Sequence, residues 1–147
     1  MTPTSGAPYK AWLADGTAAP ATRMTRHAGP YQLVTSAVIA QGWADLTDGN
    51  LAARVDRTET GQQLGGVGCD VSQPGCNFVC EGGEVWSNVD GAGNHRVGVG
   101  DCGGWTLGNN NGTGTAGNAG KTDVMWTAGS CTPIACASTL PLFCVQQ

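Results

Sequence analysis

The sequence predicts an α+β fold, mostly β, and three observations predict it. Gly reaches 24 of 147 residues while only 7 residues are basic and 11 acidic. Helix formers are scarce outside short stretches, and the 5 Trp outnumber the 2 Tyr and 2 Phe together. Seven cysteines, Cys69, Cys76, Cys80, Cys102, Cys131, Cys136 and Cys144, all fall after residue 68. Such a mix favours short strands joined by long turns and stapled by disulfides over a helical bundle or a parallel α/β enzyme. The length is that of one domain, enough to bury roughly 68–70% of the surface an unfolded chain exposes.

The cysteine count also bears on location and partners. Disulfides persist in oxidising compartments, so the chain is expected to be extracellular, periplasmic or displayed on a surface. An odd count leaves one sulfur over, so it is a free thiol or pairs with another chain. Met1 and the residues after it lack a basic start and an apolar run, so no signal peptide is visible; it was removed, or the chain leaves by another route. The longest apolar stretch, 33–40, is too short to span a membrane. A net charge of −4 without a basic cluster argues against nucleic acid and anionic membrane surfaces as partners.

Taken in order, residues 1–8 are a Pro/Thr/Ser/Gly lead-in and 9–147 form a single domain. Residues 9–14 read as a helical turn or a short strand ending at Asp15-Gly16. Residues 31–35 and 37–40 read as strands, rich in β-branched side chains and bounded by Gly29-Pro30 and Gln41-Gly42. After Trp43-Ala44-Asp45-Leu46, the run Thr47-Asp48-Gly49-Asn50 is a turn signal. Residues 53–59 alternate weakly, as another strand would. Residues 61–83, Gly-rich and holding three cysteines, read as an irregular loop held by sulfur. Three Trp-hydroxyl pairs follow at nearly even spacing, Trp86-Ser87, Trp105-Thr106 and Trp126-Thr127, with a low-complexity Gly/Asn/Thr stretch over 108–120. Residues 140–145 close the chain as a strand that Pro141 confines to an edge or a strand start.

One ordered pattern runs through these segments. It comprises Tyr9-Lys10-Ala11-Trp12-Leu13-Ala14-Asp15, Tyr31-x-Leu33-Val34 and Val38-x-Ala40-x-x-Trp43-x-Asp45-Leu46-x-Asp48-Gly49. Thr58-Glu59-Thr60-Gly61, Val85-Trp86 before Asp90-Gly91, Cys102-x-x-Trp105-Thr106, Trp126-Thr127 before Cys131, and Leu142-Phe143-Cys144-x-Gln146 continue it. This resembles an uncharacterised domain family of bacterial secreted and surface lipoproteins grouped with the C-type lectin-like fold, over residues 9–147. The resemblance implies that the two ends of the chain come together and that a long disulfide-bound loop region runs from about Gly61 to Cys136. Family members begin with a strand and a cysteine-bearing helix upstream of the segment matching Tyr9, and this chain starts after them. That helix cysteine pairs with the one in the last strand, so the resemblance makes Cys144 the orphan. It implies Cys102 paired with Cys131 or Cys136, a loop of about 30 residues worth roughly 3–4 kcal/mol in the chain-entropy model. The Cys69/Cys76/Cys80 insertion has no family counterpart; two of the three are expected to pair with each other and the third with the spare member of Cys131/Cys136, in a connectivity that spacing does not fix.

Several chemistries could use this pattern. Cys76-x-x-x-Cys80 with Cys69 nearby would suit zinc only if Cys102 or His95 completed the set, and disulfides are the simpler use in a secreted chain. Asp90 and Asn94 flank a glycine loop, with Asp101 further on, and offer oxygen ligands of the kind calcium takes. Gln73-Pro74-Gly75 lacks the third side chain of the sugar-binding tripeptide of lectin-like domains, and no Trp-Asn-Asp occurs, so at most a structural calcium is expected and otherwise no cofactor. His27 and His95 are the only histidines, no nucleophile elbow is present, and Glu81 and Glu84 read as a polar rim, so no enzyme is expected. Trp105 with Asn109, Asn110 and Asn111 is the best ligand-binding candidate, joined by Asp90 and Asn94. Amides and hydroxyls exchange hydrogen bonds, and an indole face stacks on a sugar or a partner side chain. In the competing reading Trp86, Trp105 and Trp126 are core and the Asn run is a flexible surface loop. The expected function is therefore a non-enzymatic recognition or adhesion module for a glycan or protein. The alternative is a structural subunit of a filament, sheath or particle, in which a neighbouring chain supplies the missing element.

Overall fold

The computed structural model describes residues 8–64, 83–129 and 133–147. Cys69, Cys76, Cys80, Cys131 and Glu81 lie outside the described residues. What is described is α+β with small antiparallel strand pairs and few helical turns: β1 (Tyr9–Ala11), α1 (Pro20–Arg23), β2 (Tyr31–Gln32), β3 (Val38–Ala40), α2 (Trp43–Leu46), β4 (Glu84–Trp86), β5 (Thr113–Gly114), β6 (Ala116–Asn118), β7 (Ile134–Ala135) and β8 (Cys144–Gln146). Among the described residues no helix is long and apolar enough to cross a membrane.

The two ends of the chain pair. β1 runs antiparallel to β8 with Lys10 opposite Val145 and Ala11 opposite Cys144. The Trp12 N–H donates to Phe143 O at 2.8 Å, and the Gln147 N–H to Pro8 O at 2.9 Å. β2 pairs with β3, β4 with β6, and β5 with β7, each antiparallel. Backbone bonds knit these pairs together: Trp86 N–H to Pro141 O (3.0 Å), Ala14 N–H to Ser87 O (3.0 Å) and Ser87 N–H to Thr115 O (3.2 Å).

The core is aromatic. Trp12 and Trp126 are buried with ring centroids 5.1 Å apart, Phe143 lies 5.7 Å beyond Trp126, and the half-buried Trp43 stands 6.0 Å from Trp12. Two of the three Trp-hydroxyl pairs serve one purpose here. Thr127 Oγ1 accepts from Trp12 Nε1–H at 2.7 Å and lies 3.1 Å from Ser87 Oγ, with Val89 O at 3.2 Å as its own acceptor. Ser87 Oγ accepts from the Val89 N–H at 3.2 Å. With the Ser87 hydroxyl donating to Thr127 and the Thr127 hydroxyl donating to Val89 O, every proton in this dry network has an acceptor. A buried polar group needs that, because leaving one unpaired costs about 1–3 kcal/mol.

Two expectations are corrected. Residues 53–59 form no strand; a single bridge of Arg57 to Gln63 closes a turn in which the Thr58 N–H donates to Gln62 O. The alternation there was too weak, with Asp56, Arg57 and Glu59 in a short run, to bury one face. The strand expected over 31–35 stops at Gln32, where Leu33 and Ala37 close a turn with Ser36 at φ 68°. The low-complexity stretch 108–120 orders from Thr113 onward into β5 and β6, with residues 114–117 buried, while the Asn run 109–111 lies on the surface. Its glycines are contact positions. A Cβ on Gly117 would sit 2.0 Å from Trp126 O, so only glycine lets β6 lie against the Val124–Trp126 turn. Residues 20–23, given no element in advance, form α1, with Pro20 in the first turn and Thr22 Oγ1 accepting the Ala19 N–H at 3.2 Å.

Candidate functional site

The segment around Trp105 begins with an Asp-Cys-Gly-Gly run, and its backbone is unusual. Cys102, Gly103, Gly104 and Trp105 have φ of 52°, 64°, 65° and 64°, so the helical turn Cys102–Trp105 is left-handed. Glycine tolerates this region; Cys102 and Trp105, which carry a Cβ, each cost roughly 1–2 kcal/mol there. The turn persists because its surroundings over-determine it. The Trp105 N–H donates to Asp101 O at 2.8 Å, the Leu107 N–H to Cys102 O at 2.9 Å, and the Gly104 N–H to Asp101 Oδ1 at 3.1 Å. Thr106, the hydroxyl of the third Trp-hydroxyl pair, donates to Gly103 O at 2.7 Å.

Side chains anchor the same turn. Cys102 is bonded to Cys136, with Cα atoms 5.6 Å apart. The Trp105 indole N–H donates to Ala14 O at 2.7 Å, and its ring meets that of Trp86 edge to face, centroids 5.5 Å apart. Both rings close over Gly114, where a Cβ would lie 2.8 Å from Cys102 Sγ and from Trp86 Cζ3, and 3.4 Å from Trp105 Cζ3. The segment carrying Ala14, just beyond β1, is itself closed by Asp15. Its Oδ1 accepts from the Thr17 hydroxyl and the Thr17 N–H at 2.7 Å and from the Ala18 N–H at 2.9 Å. Those bonds, that of the Thr17 hydroxyl first, hold the Asp15 carboxyl below its ordinary value.

Between the anchors, residues 106–111 are all exposed. At the far end Gly112 lies under Leu107 and Cys136, a Cβ there meeting Leu107 Cδ1 at 3.0 Å and Cys136 Sγ at 3.2 Å, and Gly112 O accepts the Cys136 N–H at 3.1 Å. The loop is thus pinned at both ends by the same disulfide. The Asn111 N–H donates to Asn109 Oδ1 at 3.0 Å, while the side chain of Asn110 points from the exposed tip. This surface offers amides and a hydroxyl beside an apolar Leu107, and can exchange hydrogen bonds with a polyol or a polypeptide.

The expected site residues divide into two places. Trp105, Asn109, Asn110 and Asn111 share the loop just described. Trp105 is half-buried with its N–H already committed, so only ring edge and face remain to a ligand. Asp90 and Asn94 close a separate hairpin in which Val89 bridges His95. Asp90 Oδ1 accepts from the N–H groups of Ala92 (2.9 Å) and Asn94 (2.7 Å), the use a turn makes of Asp. That hairpin packs elsewhere: Gly91 meets Gly49 and Val124, and Gly93 meets Thr47 and Ala21. No group of three His, Cys, Asp or Glu is arranged to hold a metal ion among the described residues. His27 is exposed, its ring edge on Tyr31 at 6.1 Å. The Tyr31 phenol is raised above its ordinary pKa by burial.

Cys144 is a free, exposed thiol on β8. Desolvation around its sulfur, and secondarily the Glu59 carboxylate, push its pKa up. Asp101, weighed as a calcium ligand, instead caps this turn through the Gly104 N–H, and residues not singled out in advance include Gly103, Gly104, Gly112 and Gly114. The legible signal was Asp101 ahead of a Gly-Gly pair, a positive-φ signature. Compared with protein-family models and with curated proteins, the chain matches none.

Proposed function

We propose that the chain is a non-enzymatic recognition or adhesion module of an extracellular or cell-surface protein, with C-type lectin-like architecture, and that it binds a glycan or protein partner through residues 106–111 of a long disulfide-stapled loop region. One observation carries this reading: a fully exposed polar loop rises from a left-handed turn whose two non-glycine residues are strained. Strain of this kind persists where surrounding structure enforces it, and it clusters at ligand clamps. A loop held in one conformation loses little entropy on binding, which raises affinity without added area. Polar residues on a rigid scaffold suit recognition without chemistry.

The test is a glycan array and a panel of extracellular proteins, read with the whole chain and with an Asn109→Ala/Asn110→Ala/Asn111→Ala variant. These three side chains are exposed, so the variant keeps the fold, and loss of at least tenfold in affinity is expected. Trp105→Ala should weaken the same ligand by relaxing the turn. Binding that is unchanged in the triple variant, or no ligand across both panels, overturns the reading.

A second reading, a structural subunit of an extracellular filament, sheath or particle whose neighbour completes the sheet, is favoured by the exposed thiol of Cys144 on the strand pair that joins the two ends of the chain.

A further inference from the structure

The β1–β8 pair has two outer edges, and they are treated differently. In an antiparallel ladder, residues alternate between positions that bond across the pair and positions that turn their backbone groups away. The bonds from Trp12 to Phe143 and from Gln147 to Pro8 fix that alternation. Lys10 and Val145, midway between them, take the bonded position, and the N–H and C=O groups of Tyr9, Ala11, Cys144 and Gln146 turn outward. On the β1 side α1 covers the edge. The Arg23 guanidinium donates to Ala11 O at 2.9 Å and also to Leu13 O, and Lys10 Nζ donates to Arg23 O. On the β8 side, among the described residues, nothing outside the ladder pairs with the backbone of Cys144 or Gln146.

We infer that the outer edge of β8 pairs antiparallel with β8 of a second copy of this chain, forming a four-stranded β1-β8-β8-β1 sheet across a two-fold axis at Cys144. The inference deepens the second reading above by naming the neighbour, and it rests on that reading's claim that a neighbour meets this sheet. Three features select a second copy. Cys144, Val145 and Gln146 carry no charge and no proline, the devices that keep edge strands apart; the Glu59 carboxylate beside the Cys144 sulfur comes from another segment, and its repulsion across the axis is what the covalent bond must outweigh. A two-fold places each Cys144 opposite its counterpart, both side chains on one face, with Cα atoms about 5.5 Å apart; a disulfide spans roughly 4.4–6.8 Å. That face is the exposed one, because Cys144 is exposed while its neighbour Val145 packs against the core.

A three-residue ladder falls far short of the roughly 1,000 Å² that a lasting interface needs. The covalent bond therefore supplies the permanence. Glutathione disulfide serves as oxidant: one Cys144 thiolate attacks it, releasing one glutathione and leaving a mixed disulfide. The second Cys144 thiolate attacks that sulfur and releases the other glutathione, so two thiols are oxidised as one glutathione disulfide is reduced to two thiols.

The test uses the whole chain in a glutathione redox buffer, with light scattering on a sizing column, non-reducing peptide mapping and amide hydrogen exchange. Expected are a doubled mass, a Cys144–Cys144 cross-linked peptide, slower exchange at Cys144 and Gln146 in the dimer, and a monomeric Cys144→Ser variant with an unchanged circular dichroism spectrum. A monomer under every condition, with Cys144 carrying only glutathione, overturns the inference and the second reading together. An oligomer that survives Cys144→Ser without protection at β8 overturns this inference alone and leaves the second reading standing.

Discussion

Replacing Thr127 by Val tests whether the buried hydroxyl network, and not shape alone, holds the aromatic core. Thr127 is fully buried, and its Oγ1 takes the Trp12 indole N–H at 2.7 Å, meets Ser87 Oγ at 3.1 Å and reaches Val89 O at 3.2 Å. Valine matches its volume and removes only the oxygen. Three buried polar groups then lose a partner, at about 1–3 kcal/mol each, offset by roughly 1 kcal/mol for the added apolar methyl, which leaves a net loss of about 2–8 kcal/mol. Thr127→Ser keeps every hydrogen bond and loses one buried methyl, about 1 kcal/mol with a small cavity. Since a domain of this kind has only some 5–15 kcal/mol in total, the two variants separate clearly. The assay is equilibrium urea unfolding followed by Trp fluorescence with the disulfide intact, at unchanged m-value. Val as stable as Ser would show that the hydroxyls are passengers. A further control is the Ser87→Ala/Thr127→Val pair, whose combined loss should fall short of the sum because both act on one network.

Two other outcomes follow from named contacts. Gly117→Ala should destabilise by more than the 1–3 kcal/mol usual for overpacking, because the new methyl meets backbone at 2.0 Å, whereas Gly16→Ala, with nothing within 4 Å, should leave the urea midpoint unchanged or slightly raised. Cys144 should react with iodoacetamide along a pH profile whose inflection lies above that of an ordinary thiol, since only the thiolate attacks. Glu59→Gln should move that inflection down but not to the ordinary value, because desolvation is the larger cause; an unmoved profile would remove Glu59 from the sulfur's surroundings.

Parts of this fold were legible because they are written locally. Thr47-Asp48-Gly49-Asn50 is a turn whose Asn50 N–H bonds Asp48 Oδ1 at 2.8 Å, and β3 follows its β-branched run. Other parts are set by what lies opposite. Gly114 and Gly117 read as low complexity in sequence, yet each marks a point where a ring or a carbonyl occupies the place of a side chain. Four-residue α1 has no propensity to stand alone; Arg23, reaching back to Ala11 and Leu13, ties it down. The site was half legible for the same reason. Polar composition drew attention to Asn109, Asn110 and Asn111, and equally to Asp90 and Asn94. Composition does not distinguish an Asp that faces a ligand from one that closes its own turn with the N–H groups of Ala92 and Asn94.

The energetics of the left-handed turn explain why disulfide and loop belong to one device. Holding Cys102 and Trp105 at positive φ costs about 2–4 kcal/mol for the two together. The Cys102–Cys136 bond closes a sequence separation of 34, worth about 4 kcal/mol in the chain-entropy model, so the cross-link alone is of the size needed to offset the strain. The Trp105 bond to Ala14 O and the glycine-filled contacts at Gly112 and Gly114 then fix which way the loop leaves the core. Strain offset in this way does nothing for stability that an ordinary right-handed turn would not do at lower cost. Its effect is positional: it fixes the direction in which residues 106–111 leave the core, which under the proposed function lowers the entropy lost on binding.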